Sequence, residues 1–305
     1  MRSFFLILSC LFLFSCNKNS SPLQPIDGQA TMKLVEKQVS FGPRYSDSQA
    51  IINCAEWMKS YAKELGFKAE IDSWSESRHG EFITFRNLII TYRPPSYQGK
   101  DFLLIGSHYD TKRLPGIKTW QSANDGPSST ALLLQILRQI KEQEQDWQNS
   151  CELRFLIFDG EECQHQYADH DGLHGSKRYA QQLKKNEKLS HCRGFLLADL
   201  VGDKDLHISF PKNNSKKLAQ QALNIAQQQG LSAYFSQGHS AIIDDFVPFH
   251  EMGIPCLDFI DFNFGPNNRY WHTEEDSIDK LSPKSLEICG NVFQDLIWKL
   301  SSSHD

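Results

Sequence analysis

The sequence predicts one α/β domain, built on a mixed, mostly parallel twisted sheet with helices on both faces. Three observations predict it. Apolar runs at 102–106, 153–158, 194–198 and 254–260 are too short for helices and largely lack polar alternation, as strands buried on both faces do. Helix-patterned segments lie between them, the arrangement that covers a parallel sheet on two sides. No shift in composition divides the chain between residue 31 and its end, and 305 residues suffice to bury a core.

In order, Arg2 precedes an apolar run at 4–14, closed by Leu13-Phe14-Ser15-Cys16. The run is too short to span a bilayer and reads as a secretory signal. It resembles a bacterial lipoprotein signal, which implies a leader at 1–15, a lipid anchor on Cys16, a tether at 16–30 and a catalytic domain at 31–302. A plain signal peptide with an incidental cysteine is the alternative, but no Ala-x-Ala-like cleavage site is present. Either reading exports the protein, and the first places it in the cell envelope, on the periplasmic or outer side of a membrane.

Residues 31–40 read as a short helix stopped by Phe41-Gly42-Pro43-Arg44. A longer helix carries Ile51, Ala55, Met58, Ala62 and Leu65 on one face and ends at Gly66. Strands follow at 67–74 and 82–92, the second halted by Pro94-Pro95. The 102–106 strand delivers Ser107-His108-Tyr109-Asp110. A polar loop leads to Ala123-Asn124-Asp125-Gly126, then to a helix with Leu133, Ile136, Leu137 and Ile140 on its core face. After the 153–158 strand comes a loop at 163–171 and a helix opening near Leu173-His174-Gly175-Ser176. The 194–198 strand carries Asp199 at its end. A strand at 206–210, a helix at 214–229, a turn from Asp244 into a short helix, the 254–260 strand, a Trp271-His272-Thr273 loop and a helix at 283–300 complete the chain.

The composition is that of an ordinary globular protein, 40% hydrophobic and 23% charged. A net charge of −5 and no Lys/Arg-rich run exclude nucleic acid as an expected partner. Beyond Cys10 and Cys16 there are six cysteines, Cys54, Cys151, Cys163, Cys192, Cys256 and Cys289, without any Cys-x-x-Cys spacing. They read as buried free thiols rather than a structural zinc cluster. The chain also lacks a His-Glu-x-x-His helix, a Gly-x-Ser-x-Gly elbow and a phosphate-cradling glycine loop.

The chemistry gathers at strand ends. The 153–158 strand breaks at Asp159-Gly160 and is followed by Glu161-Glu162; alone, this stretch reads equally as an acidic turn. His108, Asp110, Asp125, Asp199, Asp244 and His272 stand at comparable places. So many carboxylates on one sheet edge repel unless a cation or shared protons compensate, and zinc accepts such mixed ligands. Taken singly, Asp125 also suits a helix N-cap, His272 a structural histidine and Trp271 the core. His165, His170, His174 and His239 read as loop or surface residues.

His108-Tyr109-Asp110, Asn124-Asp125-Gly126, Glu161-Glu162, Asp199 and His272-Thr273 follow the order found in the zinc aminopeptidase superfamily. Within it the chain most resembles the glutaminyl-peptide cyclotransferases, over residues 35–300. The most specific matches are Phe158-Asp159-Gly160-Glu161-Glu162, Ile243-Asp244-Asp245-Phe246-Val247-Pro248-Phe249 and Trp271-His272-Thr273. Nine residues separate Glu162 from Gly172, a long link of the kind cyclases have. The resemblance implies one zinc held by Asp125, Glu162 and His272, with Glu161 as acid/base. It also implies that Asp244 steadies the leaving nitrogen, that Asp199 pairs with Asp244 through a shared proton, and that Trp271, Tyr167 and Ile242 wall the substrate pocket. The implied substrates are peptides with an N-terminal glutamine, turned over by a monomer. Three departures stand out. Ser107 and Thr130 replace a disulfide of the animal enzymes, Tyr167 replaces a pocket tryptophan, and Ile243 replaces a polar residue. The competing readings are a two-zinc aminopeptidase, with His108 and Asp199 on the second metal, and a non-catalytic binding ectodomain.

Overall fold

The computed structural model describes residues 24–302 except 79, 95–96, 118–119, 145–146, 148–149, 169 and 187–188. The expected leader and the Cys16 anchor lie outside the described residues.

The elements run α1 (Gly28–Val39), α2 (Gln49–Glu64), β1 (Lys68–Arg78), β2 (Glu81–Tyr92), β3 (Phe102–His108), α3 (Pro127–Glu142), β4 (Glu152–Phe158), α4 (His174–Lys185), β5 (Cys192–Asp199), β6 (Ile208–Phe210), α5 (Lys216–Gln228), β7 (Phe235–Gln237), α6 (Val247–His250), β8 (Cys256–Ile260) and α7 (Pro283–Ser302). Six strands form the central sheet in the order β1-β2-β4-β3-β5-β8, and β6-β7 form a small second sheet. β2 runs antiparallel to both its neighbours, whereas β4-β3, β3-β5 and β5-β8 are parallel.

Burial on both faces explains the apolar runs. Leu103, Ile105, Phe155, Ile157, Leu196, Ala198, Leu257 and Phe259 join the core packed by α1, α2, α3, α5 and α7. The intervening Phe102, Leu104, Leu156, Phe158, Phe195, Leu197 and Cys256 join the opposite core, under α4 and α6. Strand period two thus sends alternate apolar residues to opposite layers, and none is left for solvent.

Several expectations need correction. Residues 24–30, expected in the tether, are docked on the domain. Ile26 is 2% exposed, its N–H donates to Asn291 Oδ1 (2.8 Å), and Asp27 caps α1 by accepting from the Ala30 N–H. The domain therefore begins before residue 31, because Ile26 fills the seam beside α7 and α3. Asp125 is not the N-cap of α3. Gly126 holds that place at φ +88°, where a Cβ would lie 3.1 Å from the His108 carbonyl oxygen, so only glycine fits. The strand expected at 206–210 starts at Ile208, and its partner β7 is too short to leave a periodic pattern. The six cysteines within the described residues are free thiols, all but Cys192 buried.

Asp261, just past β8, accepts the N–H groups of His207 (2.7 Å) and Asn263 (3.3 Å). Burial, aided by Asp203 and opposed by those N–H groups, pushes its pKa up to about 7. An unfolded Asp titrates near ~3.9, so between those values the folded state holds the proton more tightly. That stabilisation is complete below the unfolded value and disappears as pH rises through about 7. From pH ~4 to ~8 the chain should lose up to about 4 kcal/mol that Asp261→Asn keeps. Urea midpoints at both pH values check this; identical pH dependence in the variant would refute it.

Candidate metal centre

Parallel strands place their carboxyl ends on one edge of the sheet, where ligands collect in open α/β folds. Here β3 delivers His108, Tyr109 and Asp110, β4 delivers Asp159 to Glu162, and β5 ends on Asp199. Gly160 makes the bend at φ +75°, with a would-be Cβ 2.6 Å from the Phe85 ring, so the Glu pair leaves the strand sharply. Asp110 then locks the pair, its two oxygens accepting the Glu161 and Glu162 N–H groups at 3.2 and 3.1 Å. Asp276 does the same for the Asp125 loop, accepting N–H groups from Ala123, Asn124 and Asp125.

These supports bring two donor sets together, sharing Asp125. The ligand atoms of Asp125, Glu162 and His272 lie within 4.8 Å of one another, as do those of His108, Asp125 and Asp199. His272 Nε2 is 2.8 Å from Glu162 Oε1 and 3.4 Å from Asp125 Oδ2. His108 Nε2 is 3.1 Å from Asp125 Oδ1 and 3.2 Å from Asp199 Oδ1. His272 has φ +53°, and its ring stacks on Trp271 at 3.9 Å, which fixes where the imidazole points.

The electrostatics fit a cation. Burial, reinforced by Glu162, holds the Glu161 carboxyl well above its usual range. Burial and Asp125 raise Glu162, and burial with Asp199 and Asp245 raises Asp244 further. At Asp125 burial pulls upward, but His108 and His272 outweigh it and the carboxyl is lowered. His272 is pushed up to about 10, since Glu162 and Asp125 overcome its burial. A buried group of acids this dense needs positive charge or shared protons to stand. Asp125 Oδ2, buried and accepting no hydrogen bond of good geometry, is the kind of oxygen a metal takes up. Two carboxylates and an imidazole are a donor set that zinc accepts.

Asp125, Glu161, Glu162, Asp199, Asp244, Trp271, His272, Tyr167 and Ile242 all line one cavity of about 210 Å³. His108 does not; it is buried behind the cavity, its other nitrogen 3.4 Å from Asp110. Asp199 accepts from the Leu200 N–H (2.8 Å) and faces His108. Where the resemblance implied a lost disulfide, Ser107 Oγ and Thr130 Oγ1 meet at 3.0 Å.

The sequence reading missed several supports. Asp258, on β8, is fully buried beside Asp244, and burial with the Asp244 charge holds it well above the usual carboxylate range. Lys112 reaches Glu162 Oε2 at 3.5 Å. Phe262 lies against Trp271, ring centroids 5.0 Å apart. A lone acid within an apolar strand and a lone lysine in a loop carry no spacing signature. His174 is not a surface residue: it is 3% exposed, 3.1 Å from Glu76 Oε2, and stacked on Phe85 at 4.3 Å. Apolar flanks at Leu173 and Tyr179 were the available hint.

Comparisons with known proteins bear on this site. The description of peptidase family M28 matches residues 87–297. The chain is 27% identical over 265 residues to the glutaminyl-peptide cyclotransferase of Drosophila melanogaster, covering 78% of this chain and 72% of that one. It is 30% identical over 218 residues to aminopeptidase YwaD of Bacillus subtilis, covering 68% of this chain but 43% of that one. Among solved structures, the glutaminyl cyclase of an Acidobacteriales bacterium superposes with a TM-score of 0.85 at 29% identity, over 92% of this chain and 97% of that one.

Proposed function

The chain belongs to peptidase family M28, and from that premise we propose that it is a zinc-dependent glutaminyl cyclase converting N-terminal glutamine of peptides to pyroglutamate and ammonia. The observation that carries this reading is the cavity. At about 210 Å³ it suits one folded side chain, and Glu161, Asp244 and Trp271 all face it.

Asp125, Glu162 and His272 would hold the zinc, which when bound supplies a Lewis acid for the substrate's γ-carbonyl. Glu161 takes a proton from the α-amine as that nitrogen closes on the carbonyl carbon of the side-chain amide, Cδ, and returns it to the amide nitrogen that leaves as ammonia. Burial raises the Glu161 pKa, the direction required of a group that must give its proton back near neutral pH. Asp244, buried beside Asp199 and Asp258, would hold the leaving nitrogen; burial and neighbouring carboxylates raise it and Asp258 together. Trp271 and Ile242 keep the glutamine side chain turned back on its own amine. Because attacking and leaving groups belong to one molecule, holding that conformer out of water supplies much of the acceleration.

The His108–Asp125–Asp199 set supports a second reading, a two-metal aminopeptidase. A Gln-initiated and a Leu-initiated peptide, each with and without chelator, separate the two. Chelator-sensitive ammonia release from the first peptide, with the rest of the chain intact, is expected. Free leucine from the second would establish the aminopeptidase instead.

A further inference from the structure

His174 takes no part in the proposed chemistry, yet three segments meet on it. Its buried ring stacks on Phe85 of β2 at 4.3 Å, and its Nδ1 lies 3.1 Å from Glu76 Oε2 on β1. Its Nε2 accepts the Gly172 N–H at 3.2 Å, so the hydrogen of the neutral ring sits on Nδ1 and is donated to Glu76. The Trp74 Nε1–H fixes Glu76 in turn, donating to its other oxygen at 2.8 Å. The β1-β2 hairpin thus sets both the place and the tautomer of the His174 ring.

That ring holds a turn of unusual backbone. Gly172 stands at φ +106° and Leu173 at +56°, a left-handed conformation that leucine adopts only under restraint. In it the Leu173 N–H donates to the Glu161 carbonyl (3.0 Å) and the His174 N–H to the Gly160 carbonyl (2.7 Å). The two peptide groups that flank Glu161 are therefore each bound at both ends, their N–H groups by Asp110 and their carbonyls by this turn. Gly172 also packs under the Tyr167 ring, where a Cβ would lie 2.8 Å away.

We propose that His174 is a positioning residue for Glu161: by holding the 172–174 turn against the β1-β2 hairpin, it fixes where the Glu161 carboxyl stands in the cavity. The inference rests on the reading of Glu161 as acid/base and deepens it, since it ties that group to a hairpin at the edge of the sheet. A carboxyl that takes a proton from one nitrogen and hands it to another tolerates little drift, and a displacement of ~1 Å can cost ~10²-fold in rate. Peptide binding depends on that placement far less, so the loss belongs to kcat.

The test uses the full chain and one Gln-initiated peptide, with kcat taken per bound zinc so that only loaded protein counts. His174→Phe keeps a ring on Phe85 but offers Gly172 no acceptor. It should lower kcat about tenfold, with KM within about twofold and zinc content unchanged. His174→Gln sets an oxygen near the place of Nε2 and should return kcat to within about threefold of the wild type. Glu76→Ala, at a part-exposed side chain, should lower kcat about threefold and carries the test should His174→Phe fail to fold. Wild-type kcat in the folded variants, whatever their Tm, would make His174 a packing residue and overturn the proposal. A loss as large in His174→Gln as in His174→Phe, or one confined to KM, overturns it equally. No ammonia from the wild type itself overturns the cyclase reading, and the proposal with it.

Discussion

Glu161→Gln should lower kcat on a Gln-initiated peptide by about 10³-fold, the contribution typical of a positioned acid/base, while the protein keeps its metal. The expectation follows from the division of labour within the Glu pair. Both backbone N–H groups bind the same Asp110 carboxylate, so both side chains start from a fixed point. Glu162 turns toward His272 and Lys112, whereas Glu161 has no salt bridge among the described residues and faces the cavity. Glutamine keeps the shape of that side chain but cannot take a proton from the amine. It also relieves a buried carboxyl pressed by Glu162, so the fold should not suffer. Metal content and kcat measured on the same preparation are the check. Lost metal would show that Glu161 and Glu162 have exchanged roles.

The second large effect belongs to His272→Ala. Removing the imidazole takes away the only nitrogen donor of the Asp125–Glu162–His272 set and the positive charge those two acids face. Metal content after dialysis and ammonia release should both fall by at least tenfold. Stability should fall as well. A ligand present at ~1,000 times its Kd stabilises the folded state by about 4 kcal/mol, worth several degrees in Tm. Chelated wild-type protein should show a similar drop, and His272→Ala should then respond little to chelator. If His272→Ala retains metal and His108→Ala loses it, the His108–Asp125–Asp199 set is the principal site and the aminopeptidase reading gains.

How much of this was legible varies by element. The parallel strands could be read because burial on both faces leaves few polar positions within them, and Gly160 and Glu161-Glu162 could be read because the chain must break where the sheet ends. His174 left only the hint of its apolar flanks, because Phe85 and Glu76, which bury it and bond it, come from the distant β1-β2 hairpin. Asp258 and Asp276 look like stray acids until β8 and the 270s loop are set against Asp244 and the Asp125 loop. Residues 24–30 look like spacer, because the seam that Ile26 fills is built from α3 and α7, more than 100 residues away.

The sequence by itself determined the α/β class and the order of the chemical groups along the chain. Hydrophobic periodicity and the residues that stop a strand are local, and they act whatever the rest of the chain does. Only the tertiary structure decided which carboxylates brace the loops, which are buried against one another and which face the cavity. Those roles depend on distances of 3–4 Å between residues far apart in sequence, and on burial that raises a pKa only after the layers have closed.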